Sequence, residues 1–223
     1  MIKNYLLIFT IFIILILPLN SLAVKHASGL TPNGPYLLKS KKHLIKDYKP
    51  LNAKGQLQVV VEIPTGTTEK WEVTKINGHL AWEFKKGKPR KVKYLGYPGN
   101  YGMIPQTLLP QKDGGDGDPL DVIILGPPLL RGSIVTAKLI GVLELLDKGA
   151  QDDKLIAVMP GHAFYKFDDI SALNSKYSGV SKILKTWFKN YKGQSKIKIK
   201  GIGSAAQANK ILNKAIVGYK NSL

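Results

Sequence analysis

Between residues 56 and 158 the apolar residues come in short runs rich in valine, isoleucine and leucine, each bounded by glycine, proline or aspartate. Runs of that length and chemistry, several alternating with polar residues, fit strands of a sheet far better than helices. The pattern predicts strands at 56–63, 71–76, 80–84, 121–125, 133–145 and 154–158, with one more at 196–200. The first stops at Pro64, and residues 65–69 turn the chain into the second.

Two late segments change period. Val180, Ile183, Leu184, Trp187, Phe188 and Tyr191 recur at steps of three and four, with Gly193 placed to end the helix. Ala208, Ile211, Leu212, Ala215, Ile216 and Tyr219 share one face of a second helix, for which Ser204 is the candidate N-cap. Many short strands followed by two helices predict an α+β, mainly β fold: a closed or nearly closed barrel with helices packed outside. Gly201 and Gly203 superficially match a dinucleotide fingerprint, but no returning strand with an acidic residue follows, so they read as a tight strand-to-helix turn.

At 223 residues and 44% hydrophobic content, the chain suits one compact domain. Residues 24–50 are rich in Gly, Pro, Asn and Lys without a sustained period, which predicts an extended N-terminal segment ahead of a domain over 51–223, with order beginning near Gln56. Residues 1–23 read as a signal peptide: Lys3, an apolar run over 5–17 broken only by Thr10, then Pro18, Asn20 and the small residues Ser21 and Ala23 around Leu22. That run is shorter than the about 20 residues that cross a bilayer. Cleavage after Ala23 and export to the periplasm or medium, with no membrane-spanning segment left in the mature chain, are therefore expected.

The 33 basic and 15 acidic residues give a net charge of +18, which makes an anionic partner the expectation without choosing among phosphate-rich small molecules, nucleic acid, lipid and acidic polymers. The absence of cysteine excludes disulfides, thiolate metal sites and cysteine nucleophiles together. His26, His43, His79 and His162 have no metal-ligand spacing.

Against that basic background the acidic residues cluster. Asp116, Asp118 and Asp121 stand in a glycine-rich loop that leads into the apolar run 122–125, and Asp147, Asp152 and Asp153 stand between two predicted strands just ahead of Lys154. Hard divalent cations take oxygen ligands, and glycines let several carboxylates converge. Alone, such a loop also simply makes turns; two acidic loops in a basic chain need a reason, and compensating a bound cation is the simplest. An EF-hand fits poorly, since the twelfth position counted from Asp116 is Pro127. A strand period of two puts Lys70 and Glu72 on one face. Glu62, inside an apolar strand, is either a solubility device of an edge or a ligand facing a polar site. Arg90, Tyr97, Tyr101, Tyr191 and Lys192 add donors suited to phosphate oxygens. A basic barrel that captures single-stranded nucleic acid would explain the charge, but not the gathered carboxylates, which repel a phosphate backbone.

Taken in order, Glu62-Ile63-Pro64, Lys70-Trp71-Glu72, Lys86-Gly87-Lys88-Pro89-Arg90, Asn100-Tyr101-Gly102, the Asp116-to-Asp121 loop, residues 141–154 and Tyr191-Lys192 resemble the soluble, magnesium-dependent family I inorganic pyrophosphatases. The aspartate loop matches their Asp-x-Asp-Pro-x-Asp signature, and the ordered set covers most of the chain after residue 56. The resemblance implies a five-stranded OB-like β-barrel with two C-terminal helices outside it, and an inorganic diphosphatase that splits pyrophosphate into two phosphates with metal-activated water and no covalent intermediate. It implies magnesium (Mg2+) held by Asp116, Asp121 and Asp152, with Asp147 holding a further ion and Glu62 approaching the metals directly or through water. Asp118 is implied as general base. Lys70, Arg90, Tyr101, Lys154, Tyr191 and Lys192 are implied to grip the phosphates, supported by Glu72 and Tyr97. The implied partner is the small-molecule substrate, with no nucleic acid required. Self-assembly into a homo-oligomer is also implied, and residues 85–93 resemble the longer, typically dimeric eukaryotic-type members rather than the hexameric bacterial type. Most relatives are cytosolic, so the signal segment departs from the family pattern.

Overall fold

The computed structural model describes residues 26–223, so the expected signal peptide lies outside the described residues. In chain order come β1 (Leu30–Pro32), β2 (Leu37–Ser40), β3 (Leu57–Ile63), β4 (Trp71–Val73), β5 (Leu80–Trp82) and a small hairpin of β6 (Phe84–Lys85) and β7 (Lys88–Pro89). Then follow β8 (Asn100–Met103), β9 (Asp121–Leu125), β10 (Ile134–Asp147), β11 (Ala150–Gln151) and β12 (Lys154–Val158). Helices α1 (Ile170–Lys176) and α2 (Val180–Asn190) precede β13 (Ile197–Ser204), which runs straight into α3 (Ala205–Lys220).

Five strands close a ring. β3 pairs with β8, β8 with β9, β9 in parallel with β12, β12 with β10, and β10 returns to β3. At 14 residues β10 is long enough to serve several partners: its start lies against β3 and its later part against β12, β13 and β11. The strands read as continuous apolar runs because both faces are covered. Val122, Ile124, Leu155 and Ala157 pack in the cluster that includes Ala208 and Leu212 of α3, while Ile123, Leu125, Ile156 and Val158 join the cluster of Trp187 and Phe188 of α2. Closure presses β8 onto β3 so tightly that a Cβ at position 102 would stand 1.9 Å from the Val60 carbonyl oxygen, so only glycine fits there.

Several expectations are corrected. Order begins well before Gln56: β1 and β2 form a sheet with β5 and β4, in the order β1-β2-β5-β4, and residues 41–50 follow through turns. Leu30, Leu38, Leu44 and Ile45 from this segment are buried with Trp71, Val73 and Leu80. Strands of three or four residues are too short to print a period, so the segment looked structureless. Asn100–Met103, not among the expected strands, is barrel strand β8, with all four residues buried. Three α-helices, not two, are present among the described residues. The unexpected α1 is seven residues long, and its Asp169 cap accepts a bond from the Ser171 N–H. Gly201 and Gly203 lie inside β13 rather than in a separate turn, and Ser204 caps α3 as expected, its bond from the Gln207 N–H answered by the Gln207 side chain on the Ser204 N–H.

Candidate active site

One mouth of the barrel is ringed by the end of β3, strand β4, the turn before β8, the loop ahead of β9, the β10–β12 connection and the end of α2. Between them opens a cavity of about 340 Å³ lined by Lys70, Glu72, Glu83, Arg90, Tyr97, Tyr101, Asp116, Asp118, Asp121, Asp147, Asp152, Lys154, Tyr191 and Lys192. A neighbouring cavity of about 400 Å³ shares Lys70, Glu72, Asp116, Asp118 and Asp121 and adds Glu62. Every residue to which the family resemblance assigns a role therefore faces one of these two spaces, whereas Asp153 faces neither and accepts instead from the Leu145 N–H and the Gln151 side chain. A larger hollow of about 670 Å³ lies elsewhere, along α3 beside Pro110, and contains none of them.

The glycine-rich loop earns its composition. A Cβ at Gly115 would stand 1.7 Å from the Leu109 carbonyl oxygen. The loop then turns on Asp116, whose carboxylate accepts a 2.9 Å bond from the Asp118 N–H. Asp121 opens β9, and its parallel partner β12 opens with Lys154, so the two side chains emerge at the same edge. The buried Lys154 ammonium donates to both Asp121 and Asp152, which brings carboxylates from separate loops to one point. Asp147 accepts from Lys192 at 2.6 Å, and Asp118 pairs with Lys75 at the rim. Glu83 holds Arg90 through two bonds to one guanidinium nitrogen, at 2.8 and 2.6 Å.

Burial and charge set the protonation states. Burial pushes the Glu62 carboxyl up to about 8, against the opposing pull of Lys70 and of the 2.7 Å bond from the Val73 N–H. Burial disfavours the charge on Lys154, but Asp121 and Asp152 outweigh it and keep the ammonium firmly protonated. Asp121 is likewise pushed up by burial, yet Lys154 and Lys70 hold it below the usual carboxylate range; Asp152, more weakly compensated and beside the charge of Asp121, lies above it. Burial raises the phenols of Tyr97, Tyr101 and Tyr191, so all three remain O–H donors at neutral pH.

Among the described residues no three acidic or histidine side chains stand close enough, as placed, to hold an ion. Asp118, Asp121, Asp147 and Asp152 face the cleft paired instead with lysines. Two observations nevertheless fit a hard cation. The buried Asp147 Oδ1 has no hydrogen-bond partner, and Glu62 sits in the adjoining cavity with a single N–H bond to one oxygen. An all-oxygen donor set of this kind suits magnesium or calcium rather than zinc or copper.

Sequence reading missed Lys75 and Glu83. Each is an unremarked charge in the chain, and its importance arises from a partner across a loop or hairpin. Glu83 stands seven residues before Arg90, at the opposite foot of a two-strand hairpin.

Hard-cation ligands facing phosphate-seeking cations and phenols across one cleft define the class: a hydrolase acting on phosphate compounds. A sequence model described as inorganic pyrophosphatase matches residues 59–220, and the chain belongs to that family. It is 33% identical to an inorganic pyrophosphatase of Xylella fastidiosa over 177 residues, covering 77% of this chain and 94% of that protein. A solved inorganic pyrophosphatase of Helicobacter pylori superposes with a TM-score of 0.62 at 34% identity, covering 74% of this chain and 94% of the other. The type I inorganic pyrophosphatase of Toxoplasma gondii superposes with a TM-score of 0.77, covering 87% and 98%; at 24% identity this likeness speaks for the fold.

Proposed function

We infer that this chain is an inorganic diphosphatase that hydrolyses pyrophosphate to two phosphates with water as nucleophile and no covalent intermediate, and that magnesium is its divalent cation. The observation that carries the reading is the meeting of Asp121 and Asp152 on Lys154 inside a cavity also lined by Arg90, Lys192 and three tyrosines. Asp116, Asp121 and Asp152, with Asp147 and Glu62, are the residues that would hold magnesium. When bound, the metal neutralises phosphate oxygens and lowers the pKa of water towards neutrality.

The chain's own groups supply the rest. Asp118, on the loop between Asp116 and Asp121 and open to solvent, accepts the proton of the attacking water. Lys70, Arg90, Lys154 and Lys192 are cations, and Tyr97, Tyr101 and Tyr191 neutral donors, for oxygens of a doubly phosphorylated anion. Charge builds on the departing phosphate, so donors already in place stabilise the transition state more than the ground state. Glu83 keeps Arg90 aimed, and Glu72 restrains Lys70 at 3.3 Å.

The direct test is phosphate release from pyrophosphate by the purified protein with magnesium, with and without chelator. Release that chelation abolishes is expected; salt-sensitive oligonucleotide binding with no release would replace this reading by a nucleic-acid binding module. Export and self-association belong to the same reading. Support for export is the sequence of residues 1–23 alone. No helix among the described residues is long and apolar enough to cross a membrane. Secreted protein should begin near Val24, and an intact mass that retains Met1 would contradict export.

A further inference from the structure

Arg131 is buried, 4% exposed, lies in the connection between β9 and β10, and itself lines neither cavity of the cleft. A buried guanidinium costs stability unless it is bonded, and burial pulls this one down to about 10, although it remains charged at neutral pH. Its surroundings explain its place. The β3–β8 register slips between Val61 and Ile63, so Glu62 is the extra residue of a β-bulge and falls outside the ladder. Bulges re-aim a side chain at the expense of a ladder bond. Here the side chain is Glu62, which accepts from the Val73 N–H, and its backbone carbonyl is taken by Arg131 Nε at 3.1 Å.

The same guanidinium lies over the Trp71 ring, 4.6 Å from its centroid, and 3.8 Å from the Glu69 carboxylate. Trp71 separates Lys70 from Glu72, both of which face the cleft. One side chain thus ties together the bulge that aims Glu62 and the strand that presents Lys70 and Glu72. Arg131 also holds its own segment in place, since its carbonyl accepts from the Ala27 N–H at 2.9 Å.

We propose that Arg131 is a positioning residue: by bonding the carbonyl freed at the Glu62 bulge and stacking on Trp71, it fixes the direction from which Glu62 enters the cleft. It touches neither substrate nor metal; it acts through Glu62. The inference rests on the pyrophosphatase reading of the cleft.

The test is a double-mutant cycle of Arg131→Met and Glu62→Gln, read both as magnesium affinity by calorimetry on metal-free protein and as kcat for pyrophosphate. Groups that support a metal ligand from behind typically contribute about tenfold or more to affinity or activity. Arg131→Met should therefore lose about tenfold in magnesium affinity and kcat with little change in KM. Added to Glu62→Gln, it should cost little more, because the two act as one unit. Losses that multiply independently, or that merely track the folded fraction in a melting curve, overturn the role. Should Arg131→Met fail to fold, Arg131→Lys keeps the charge without the planar fork and is expected to lose affinity in the same direction. Wild-type affinity and turnover in Arg131→Lys overturn the proposal equally. Wild-type protein that releases no phosphate would instead sink the reading of the cleft, and this inference with it.

Discussion

At the scale of single residues, the assignment of Asp118 separates chemistry from structure. Its side chain is 53% exposed and its ion pair with Lys75 is a surface pair, so neither contributes much to folding. Asp118→Asn should melt like the wild type and keep its magnesium affinity while losing about 10² or more in kcat, the usual worth of a positioned base. Near wild-type turnover would remove Asp118 as the base. Glu62 makes a prediction of the opposite kind. Its carboxyl moves from 4.5 to about 8 on folding, so between those values the unfolded chain has lost a proton that the native chain keeps. Stability contributed by this group is intact below 4.5 and is lost as the pH rises through about 8. Metal-free Glu62→Gln should therefore gain in melting temperature over metal-free wild type as the pH goes from 5 to 9; a constant difference would show that burial does not raise this carboxyl. The aspartates were legible in the sequence because carboxylates are conspicuous in so basic a chain. Lys75, Glu83 and Arg131 were not, because a lysine, a glutamate or an arginine acquires its meaning from the partner opposite, and the sequence does not state who is opposite.

At the scale of elements, period decided what could be read. β9 and β12 were placed to the residue, since a covered strand is a continuous apolar run between breakers. Helices α2 and α3 followed from three-and-four spacing, and the Ser204 cap from its hydroxyl ahead of an apolar face. Ser204→Ala should lower stability by about 1 kcal/mol, read as a fall of a few degrees in melting temperature, with turnover unchanged because the cap lies outside the cleft. Strand β8 escaped notice because its glycine and asparagine belong to turns statistically, yet here each has a tertiary duty. Gly102 clears the Val60 carbonyl, and the Asn100 side chain accepts from the Thr65 and Leu129 N–H groups and donates to the Pro127 carbonyl. Gly102→Ala should open the β3–β8 seam and lose both stability and activity; a soluble variant with native melting would mean the seam can yield.

At the scale of the whole molecule, the N-terminal segment is the element least expected to matter to the core. Leu30, Leu38, Leu44 and Ile45 cover Trp71, Val73 and Leu80, and each buried side chain is worth about 1.5–3 kcal/mol. A chain starting at Leu51 should lose several kcal/mol and expose the β5 edge to aggregation; a truncated protein that stays soluble and melts like the wild type would show that this layer is only draped on the barrel. By itself the sequence determined which backbone segments are strands and helices and which side chains can hold a cation or a phosphate, because period and residue chemistry are local properties carried by the chain. Only the tertiary structure decided that β10 returns to β3, that two acidic loops meet on Lys154, and that a bulge held by Arg131 aims Glu62. Those arrangements depend on which distant residues come to lie side by side when the ring of strands closes, and closure is set by the packing of all the faces together.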